Sequence, residues 1–282
     1  MQTLEGSAQN LVLRGFHVQR NFVSSELVAA FAGDYDDGLT AANQVYSLGL
    51  PAAENLARLR PRIEALIKAL SSASFRPTRI GGGVFFATGN GINFGWHQDH
   101  ESYFINQTHR NYLNVYIPVV KPKAAKSNLT IVPVDNFAEA VPELWSRLEG
   151  GGASTFRQQG GRRWISDDCA GGVIGELDFD LDDLAETPEL RAGDALLMRG
   201  DLFHRTQDND TNRVALSVRV SGDQHTVTRE HFECTCETKN WFLQQNAPMY
   251  DAVRTVFERH ESLPLHALLE QVFALRTSQN SA

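Results

Sequence analysis

The spacing of apolar residues changes twice along the chain. Between residues 51 and 70, leucines and isoleucines recur every three or four positions, the period of an amphipathic helix. Residues 80 to 222 instead carry short apolar runs, rich in β-branched and aromatic residues and bounded by glycines, a pattern typical of strands. Helical spacing returns over residues 241 to 277. The order of helices, short strands and helices predicts a barrel or sandwich with helices packed on one side.

The strand-like runs are VFFAT, NYLNVYIPVV, LTIVPV, DALLMRG and RVALSVRV. Each is too short to repeat a helical period several times, which favours strands over buried helices. Nearer the N-terminus, Ser24 or Ser25 fits the N-cap of a first helix. A second helix follows Pro51, and Pro61 is expected to interrupt or kink it.

No internal repeat or low-complexity linker divides the chain, so we expect a single domain over residues 1–282. It comprises a helical N-terminal region (residues 1–79), a β core (residues 80–222) and C-terminal helices (residues 241–277). Residues 143–190 do not fit the strand pattern, because they contain several glycine clusters and the acidic run DFDLDD. We interpret them as one or two hairpins in a long, lid-like insertion.

Composition narrows the class of protein. The hydrophobic share of 42% and the charged share of 21% are those of a globular chain that buries a core. A formal charge of −8 argues against a nucleic-acid partner, and no run reaches the ~20 apolar residues of a membrane span. Three cysteines are too few for a disulfide framework, which favours a reducing compartment and a cytoplasmic location. The expected partner is a small molecule, and the oligomeric state is left open.

The segment WHQDH contains a candidate metal site. On an extended backbone, His97 and Asp99 point to the same face and can bind one ion together, whereas His100 would face the other way. His204, which follows the strand-like run DALLMRG, is the candidate third ligand. Two histidines and one carboxylate on one face of an octahedron leave open positions, as in non-haem iron(II) oxygenases.

An arginine nine residues beyond His204 adds a possible anion site. On a strand, Arg213 shares one face with Ala215, Ser217 and Arg219, while four apolar residues share the other. An arginine directed into a barrel needs an anion, and its guanidinium binds a carboxylate in bidentate fashion. The distal carboxylate of 2-oxoglutarate is a suitable anion. An internal aspartate partner or solvent would also satisfy Arg213, and Arg219 is the competing candidate.

Four stretches, in order between Gly81 and Val220, resemble the phytanoyl-CoA dioxygenase family of iron(II)- and 2-oxoglutarate-dependent oxygenases. They are WHQDHESYF, then YLNVYIPVV with SNLTIVPVDNF, then LRAGDALLMRGDLFHRT, and finally NRVALSV. Together they cover about half of the chain. Two segments depart from the family pattern, because the usual Asn-Gly is replaced by Asn128-Leu129 and the usual Pro-Gly-Ser-His by Pro133-Val134-Asp135-Asn136.

The resemblance implies a mainly β fold with flanking helices, whose core is a double-stranded β-helix, the jelly-roll of cupins. It implies His97, Asp99 and His204 as iron ligands. The 2-oxoglutarate-binding residues it implies are Arg213, Thr206, Tyr116 and Gln98. The implied reaction is oxidation, by default hydroxylation, of an unactivated C–H bond, using O₂ and converting 2-oxoglutarate to succinate and CO₂. Because related halogenases replace the carboxylate with a small residue, Asp99 disfavours halogenation.

The substrate is predicted only in outline, as a small metabolite or natural-product intermediate. Candidate pocket residues are Phe94, Tyr103, Phe104, Arg162 and Arg163. Desaturation, epoxidation and cyclisation stay open alongside hydroxylation. Two other functions also stay open: a cupin-like metalloenzyme that does not use 2-oxoglutarate, and an inactive jelly-roll binding protein.

Overall fold

The computed structural model describes residues 4–36, 53–70, 78–90, 93–222 and 224–280. Pro51, which precedes the predicted second helix, therefore lies outside the described residues. The strands are β1 (Phe16–Gln19), β2 (Arg79–Ala87), β3 (Tyr112–Val120), β4 (Leu129–Ile131), β5 (Ser154–Gln159), β6 (Arg162–Asp167), β7 (Val173–Leu177), β8 (Ala195–Arg199), β9 (His204–Thr206), β10 (Val214–Ser221), β11 (Thr226–Thr228) and β12 (Ser262–Pro264).

The α-helices lie mainly at the two ends of the chain. They are α1 (Leu4–Leu13), α2 (Ser25–Asp36), α3 (Ala53–Leu70), α4 (Glu101–Asn106), α5 (Val134–Ala140), α6 (Pro142–Leu148), α7 (Arg229–Glu233), α8 (Glu237–Gln245), α9 (Ala247–Phe257) and α10 (Leu265–Asn280). The α3 helix runs through Pro61 without a break in its assignment, so the predicted interruption does not occur. Within the described residues, no helix is both long and apolar enough to cross a membrane.

The larger sheet has five antiparallel strands in the order β1-β8-β3-β10-β2. Strand β10 illustrates why it forms, because its two faces meet different surroundings. Val214, Leu216, Val218 and Val220 pack into an apolar core with α1, α2 and α3. Arg213, Ser217 and Arg219 line a cavity on the opposite face. This alternation confirms the sequence prediction for the strand.

The second sheet is assembled from short pieces. Strand β4 pairs with β9, and β5, β6 and β7 form a three-stranded antiparallel unit. His97 joins the two units, since it forms isolated antiparallel bridges with Thr155 of β5 and with His204 of β9. The candidate ligands of the WHQDH segment therefore lie in the middle of this sheet.

Two segments differ from the sequence interpretation. Residues 143–190 form α6 and β5–β7, and β5 pairs beside His97, so much of the predicted lid is an integral part of the second sheet. The N-terminal region, residues 1–79, is not only helical, because β1 forms an edge of the larger sheet through pairing with β8. In both cases, the stabilising contacts join residues far apart in sequence, which local patterns do not report.

A glycine just before β8 provides a test of the packing. Gly193 has a φ of +84°, and a Cβ added there would lie 2.7 Å from the backbone oxygen of Val23. Gly193→Ala should therefore lower the free energy of unfolding by about 1–3 kcal/mol, measured by urea denaturation. Gly160→Ala is the matched control, since Gly160 also has a positive φ of +57° but has no atom within 4 Å of the added Cβ. An equal loss in both variants would contradict the role of the close contact.

Candidate active site

A cavity of about 730 Å³ lies between residues of the two sheets and is bordered by α8. Its volume is within the range of ~300–1,000 Å³ that is usual for small-molecule sites. His97, Asp99 and His204 line it together, as do Arg219 of β10 and Arg213, the residue before β10. The structure thus brings the predicted metal ligands and both candidate arginines to one cavity.

His97 and His204 are held beside each other by their own backbones. The amide of each donates to the carbonyl oxygen of the other at 3.0 Å, and their ring centroids are 4.3 Å apart. In each ring Nδ1 is bound to the carbonyl oxygen two residues earlier, at 2.7 Å from Gly95 for His97 and at 3.0 Å from Leu202 for His204. A carbonyl acceptor requires a proton on Nδ1, which leaves Nε2 as the basic nitrogen of each imidazole.

Asp99 is the carboxylate of this group. Its Oδ1 lies 3.8 Å from His204 Nε2, and its Oδ2 accepts a hydrogen bond of 2.8 Å from Arg219 Nη1. Both Asp99 and Arg219 are buried. Arg219 is therefore engaged with the predicted metal ligand, which leaves Arg213 as the better candidate for the cosubstrate.

The protonation states suit metal ligands. Desolvation, reinforced by the nearby His204, holds the pKa of His97 well below its usual value. Desolvation also lowers the pKa of His204, against the opposing effect of Asp99. For Asp99, desolvation alone would raise the pKa, but Arg219 and the surrounding histidines together lower it. The group is thus two neutral imidazoles and one carboxylate at neutral pH, the states in which these side chains bind metals.

The three side chains are not drawn tightly together. Among the described residues, no three or more His, Cys, Asp and Glu side chains lie in positions that could hold a metal ion without some movement. Adjacent donors at about 2.1 Å from an octahedral ion lie about 3 Å apart, which is shorter than the 3.8 Å between Asp99 and His204. The donor set fits a divalent ion chemically, and an ion would have to draw the side chains inward.

Arg213 lies buried in another section of the cavity wall. Its Nε donates to the Ser127 carbonyl oxygen at 3.2 Å and Nη1 to the Phe86 carbonyl oxygen at 3.0 Å. Its guanidinium carbon is 5.6 Å from the centre of the Tyr116 ring. Within the described residues, no carboxylate forms an ion pair with Arg213. A buried guanidinium bound only to carbonyl oxygens has charge left to offer an anionic ligand.

The other predicted cosubstrate residues have different surroundings. Tyr116 and Thr206 both line the cavity, and the Tyr116 hydroxyl is buried without a hydrogen-bond partner in the described portion of the protein. The Thr206 hydroxyl accepts a hydrogen bond from the Phe94 amide. Gln98 does not line the cavity, unlike its neighbours His97 and Asp99, and its Nε2 donates to the Asp201 carbonyl oxygen at 2.6 Å.

Only one of the five predicted pocket residues lines the cavity. Phe94 does so, with 43% of its surface exposed. Phe104 is buried in the core formed by α4 and the C-terminal helices, and Tyr103 lines a separate, smaller cavity. Arg162 and Arg163 lie on β6 of the second sheet and pair with Glu176 and Asp180, so, contrary to the prediction, they do not line this cavity.

The cavity also contains residues that the sequence did not single out. His100 was expected to face away, but the chain turns into α4 at this residue, with φ −91° and ψ −64°, and His100 also lines the cavity. Trp241 and Phe242 of α8 and Arg157 of β5 border it as well. Trp241 is 54% exposed, on a helix whose buried residues are Lys239 and Leu243. Its place at the cavity depends on how α8 packs, which the sequence pattern does not report.

Comparisons with known proteins bear on the fold. No family model matches the chain, and no curated protein is similar enough to count as a relative. Among solved structures, the chain is similar to the non-heme alpha ketoglutarate dependent epimerase SnoN from nogalamycin biosynthesis, with 16% identity, 78% of this chain and 83% of that chain covered, and a TM-score of 0.50. The carbocyclase SnoK from the same biosynthesis matches at 14% identity over 77% of this chain and 84% of that chain, with a TM-score of 0.49. A Pseudomonas putida prolyl-4-hydroxylase matches at 12% identity over 78% of this chain and 94% of that chain, with a TM-score of 0.45. At these identities the likeness concerns the fold alone, and the match to SnoN confirms the predicted β core with flanking helices.

Proposed function

We propose that the protein is an iron(II)- and 2-oxoglutarate-dependent oxygenase that oxidises a C–H bond of a small molecule, with hydroxylation as the default outcome. One observation carries the proposal. A single cavity contains two neutral histidines with a carboxylate and, apart from them, a buried arginine that has no internal counter-ion among the described residues. The first set suits a divalent metal, and the second suits the distal carboxylate of a dicarboxylate cosubstrate.

The residues have separate roles in this proposal. His97, Asp99 and His204 would hold iron(II), which, together with 2-oxoglutarate and O₂, supplies the oxidising chemistry and releases succinate and CO₂. Arg219 holds one oxygen of Asp99 at 2.8 Å and leaves the other directed toward His204. Arg213 would bind the distal carboxylate, with the Tyr116 hydroxyl available as a second donor. Aromatic and aliphatic side chains such as Phe86 and Leu129 form apolar parts of the cavity wall.

We further propose that the protein belongs to the phytanoyl-CoA dioxygenase family. It is supported by the order of the four sequence stretches and by the placement of their polar residues around one cavity. The presence of Asp99 favours oxygen insertion over halogenation, since halogenases of this kind have a small residue at that position.

Anaerobic titration with iron(II) and 2-oxoglutarate tests the proposal. Chelation of iron by the keto acid should produce a visible metal-to-ligand charge-transfer band that saturates at one equivalent of each. His204→Ala should lose the band, whereas His260→Ala, a matched change between α9 and β12 and away from the cavity, should keep it. If a folded, iron-loaded sample gives no band, the 2-oxoglutarate-free metalloenzyme is the better assignment.

A further inference from the structure

His100 occupies a position in the cavity that the proposed iron and 2-oxoglutarate sites do not use. Its ring stacks near His97, with centroids 5.7 Å apart and planes 24° apart, and against Phe242 of α8 at 5.0 Å and 23°. Only 5% of its surface is exposed, yet it lines the cavity. His100 is therefore a buried polar side chain between the proposed metal ligands and the C-terminal helices.

A buried aspartate fixes the orientation of this ring. Asp168, which is 2% exposed, accepts a hydrogen bond of 2.9 Å from His100 Nε2. The same carboxylate accepts hydrogen bonds from Ser166 at 2.9 Å, from Arg157 at 3.3 Å and from the hydroxyl of Thr155. These donors satisfy the charge of Asp168 within the protein, so its effect on the cavity is exerted through His100.

The hydrogen bond to Asp168 determines what His100 offers to a ligand. Because a carboxylate can only accept here, Nε2 carries a proton, and the imidazole tautomer that this bond selects has Nδ1 as an acceptor. Nδ1 has no hydrogen-bond partner among the described residues and is not among the side-chain atoms that are sealed from solvent. An acceptor that faces the cavity without a protein partner is available to a donor on a molecule bound there.

Exposed aromatic side chains form part of the cavity wall, beside polar residues that include Arg157, Glu237 and Thr238. Trp241 is 54% exposed and packs edge-on against Phe242 at 5.0 Å, and Phe94 is 43% exposed. The α8 helix that carries Trp241 and Phe242 is attached to the histidine–aspartate pair, because the thiol of Cys236, the residue before the helix, donates to the Asp168 carbonyl oxygen at 3.2 Å. Large exposed aromatic faces at a cavity mouth suit a ligand that contains rings.

We propose that the substrate is a ring-containing, mostly apolar molecule with a hydroxyl group, and that His100 Nδ1 accepts the hydrogen bond from this hydroxyl. Asp168 is the positioning residue that holds the ring, and Trp241, Phe242 and Phe94 contact the apolar body of the ligand. The inference rests on the proposed function in one respect: the hydroxyl, once fixed by His100, determines which neighbouring C–H bond faces the proposed iron site.

Matched alcohol and ether probes test this hydrogen bond. Equilibrium dialysis of the metal-free protein would compare 2-naphthylmethanol, 4-biphenylmethanol and 9-anthracenemethanol with their methyl ethers, which lack the donor. The wild-type protein should bind the alcohols roughly tenfold more tightly than the ethers, the effect of one hydrogen bond in a largely dry site. Failure of every alcohol to bind, or equal binding of alcohols and ethers, would overturn the proposal.

Three substitutions separate the acceptor from the packing of the ring. His100→Gln can still donate to Asp168 but lacks Nδ1, so it should lose the preference for alcohols. His100→Phe keeps the stacking surface and should lose the preference too, whereas His100→Asn places an amide oxygen near the position of Nδ1 and should retain some of it. An unchanged preference in a folded His100→Gln or His100→Phe variant contradicts the role of His100, as does a complete loss in folded His100→Asn.

This test is independent of the oxygenase proposal. The charge-transfer titration needs no substrate, and the dialysis needs no metal. A normal band without a preference for alcohols would reject only the inference about His100. A preference for alcohols without a band would reject only the use of iron and 2-oxoglutarate.

Discussion

Asp99→Ala is expected to abolish 2-oxoglutarate turnover. The substitution removes one of the three proposed metal ligands, and changes to residues that merely support a ligand already cost about 10- to 100-fold in metal affinity or activity. The loss should therefore exceed about 100-fold, measured as succinate released per iron added. It also leaves Arg219 buried without the carboxylate that accepts its hydrogen bond, which should lower the free energy of unfolding by about 3–5 kcal/mol.

Two control variants separate the chemical effect from the loss of stability. Asp99→Asn retains an oxygen that can accept from Arg219 Nη1, so it should be more stable than Asp99→Ala while still losing turnover. Asp194→Ala removes another buried aspartate, one that pairs with Arg20 at 2.7 Å outside the cavity. It should destabilise the protein but preserve iron binding. Full turnover in Asp99→Ala would reject the proposed metal site.

Arg213→Leu should weaken 2-oxoglutarate binding without removing iron. Truncating one partner of a buried, hydrogen-bonded charge pair costs about 2–5 kcal/mol, which corresponds to a rise in Kd on the order of 30- to several thousand-fold. The Kd can be measured anaerobically from the charge-transfer band. Arg213→Lys should lie between wild type and Arg213→Leu, because an ammonium keeps the charge but not the bidentate geometry.

The control for this series is another arginine in the second sheet. Arg162 is exposed on β6 and pairs with Glu176 of β7, so Arg162→Leu should leave the Kd for 2-oxoglutarate unchanged. Normal cosubstrate binding in Arg213→Leu would instead favour Arg219, the other arginine that lines the cavity.

Local patterns were sufficient to predict much of the cavity wall. Alternation along an extended backbone correctly placed His97 and Asp99 together on the cavity wall, and likewise Arg213, Ser217 and Arg219. A period of two is a property of the backbone, so it holds wherever the strand continues. The same rule failed for His100, because a helix begins directly after that residue.

Contacts between distant segments could not be predicted in this way. Asp168 lies in a glycine-rich stretch and becomes the partner of His100 only because β5 and β6 pair beside the WHQDH segment. The pairing of Arg219 with Asp99 spans 120 positions, and nothing in the sequence distinguished it from a cosubstrate-binding role. The four-residue strand β1 was missed for a similar reason, since its pairing with β8 rather than its composition defines it.

The reciprocal hydrogen bonds between the backbones of His97 and His204 have a consequence for how the protein acquires metal. The distance between the two imidazoles is set by main-chain pairing, which requires no ion. Zinc fingers differ, because their ligands come together only when the metal binds and folding depends on it. Here the apoprotein would already be folded when it meets its metal. Loading then becomes a late and reversible step, and the supply of iron, rather than chain folding, would control the fraction of active enzyme.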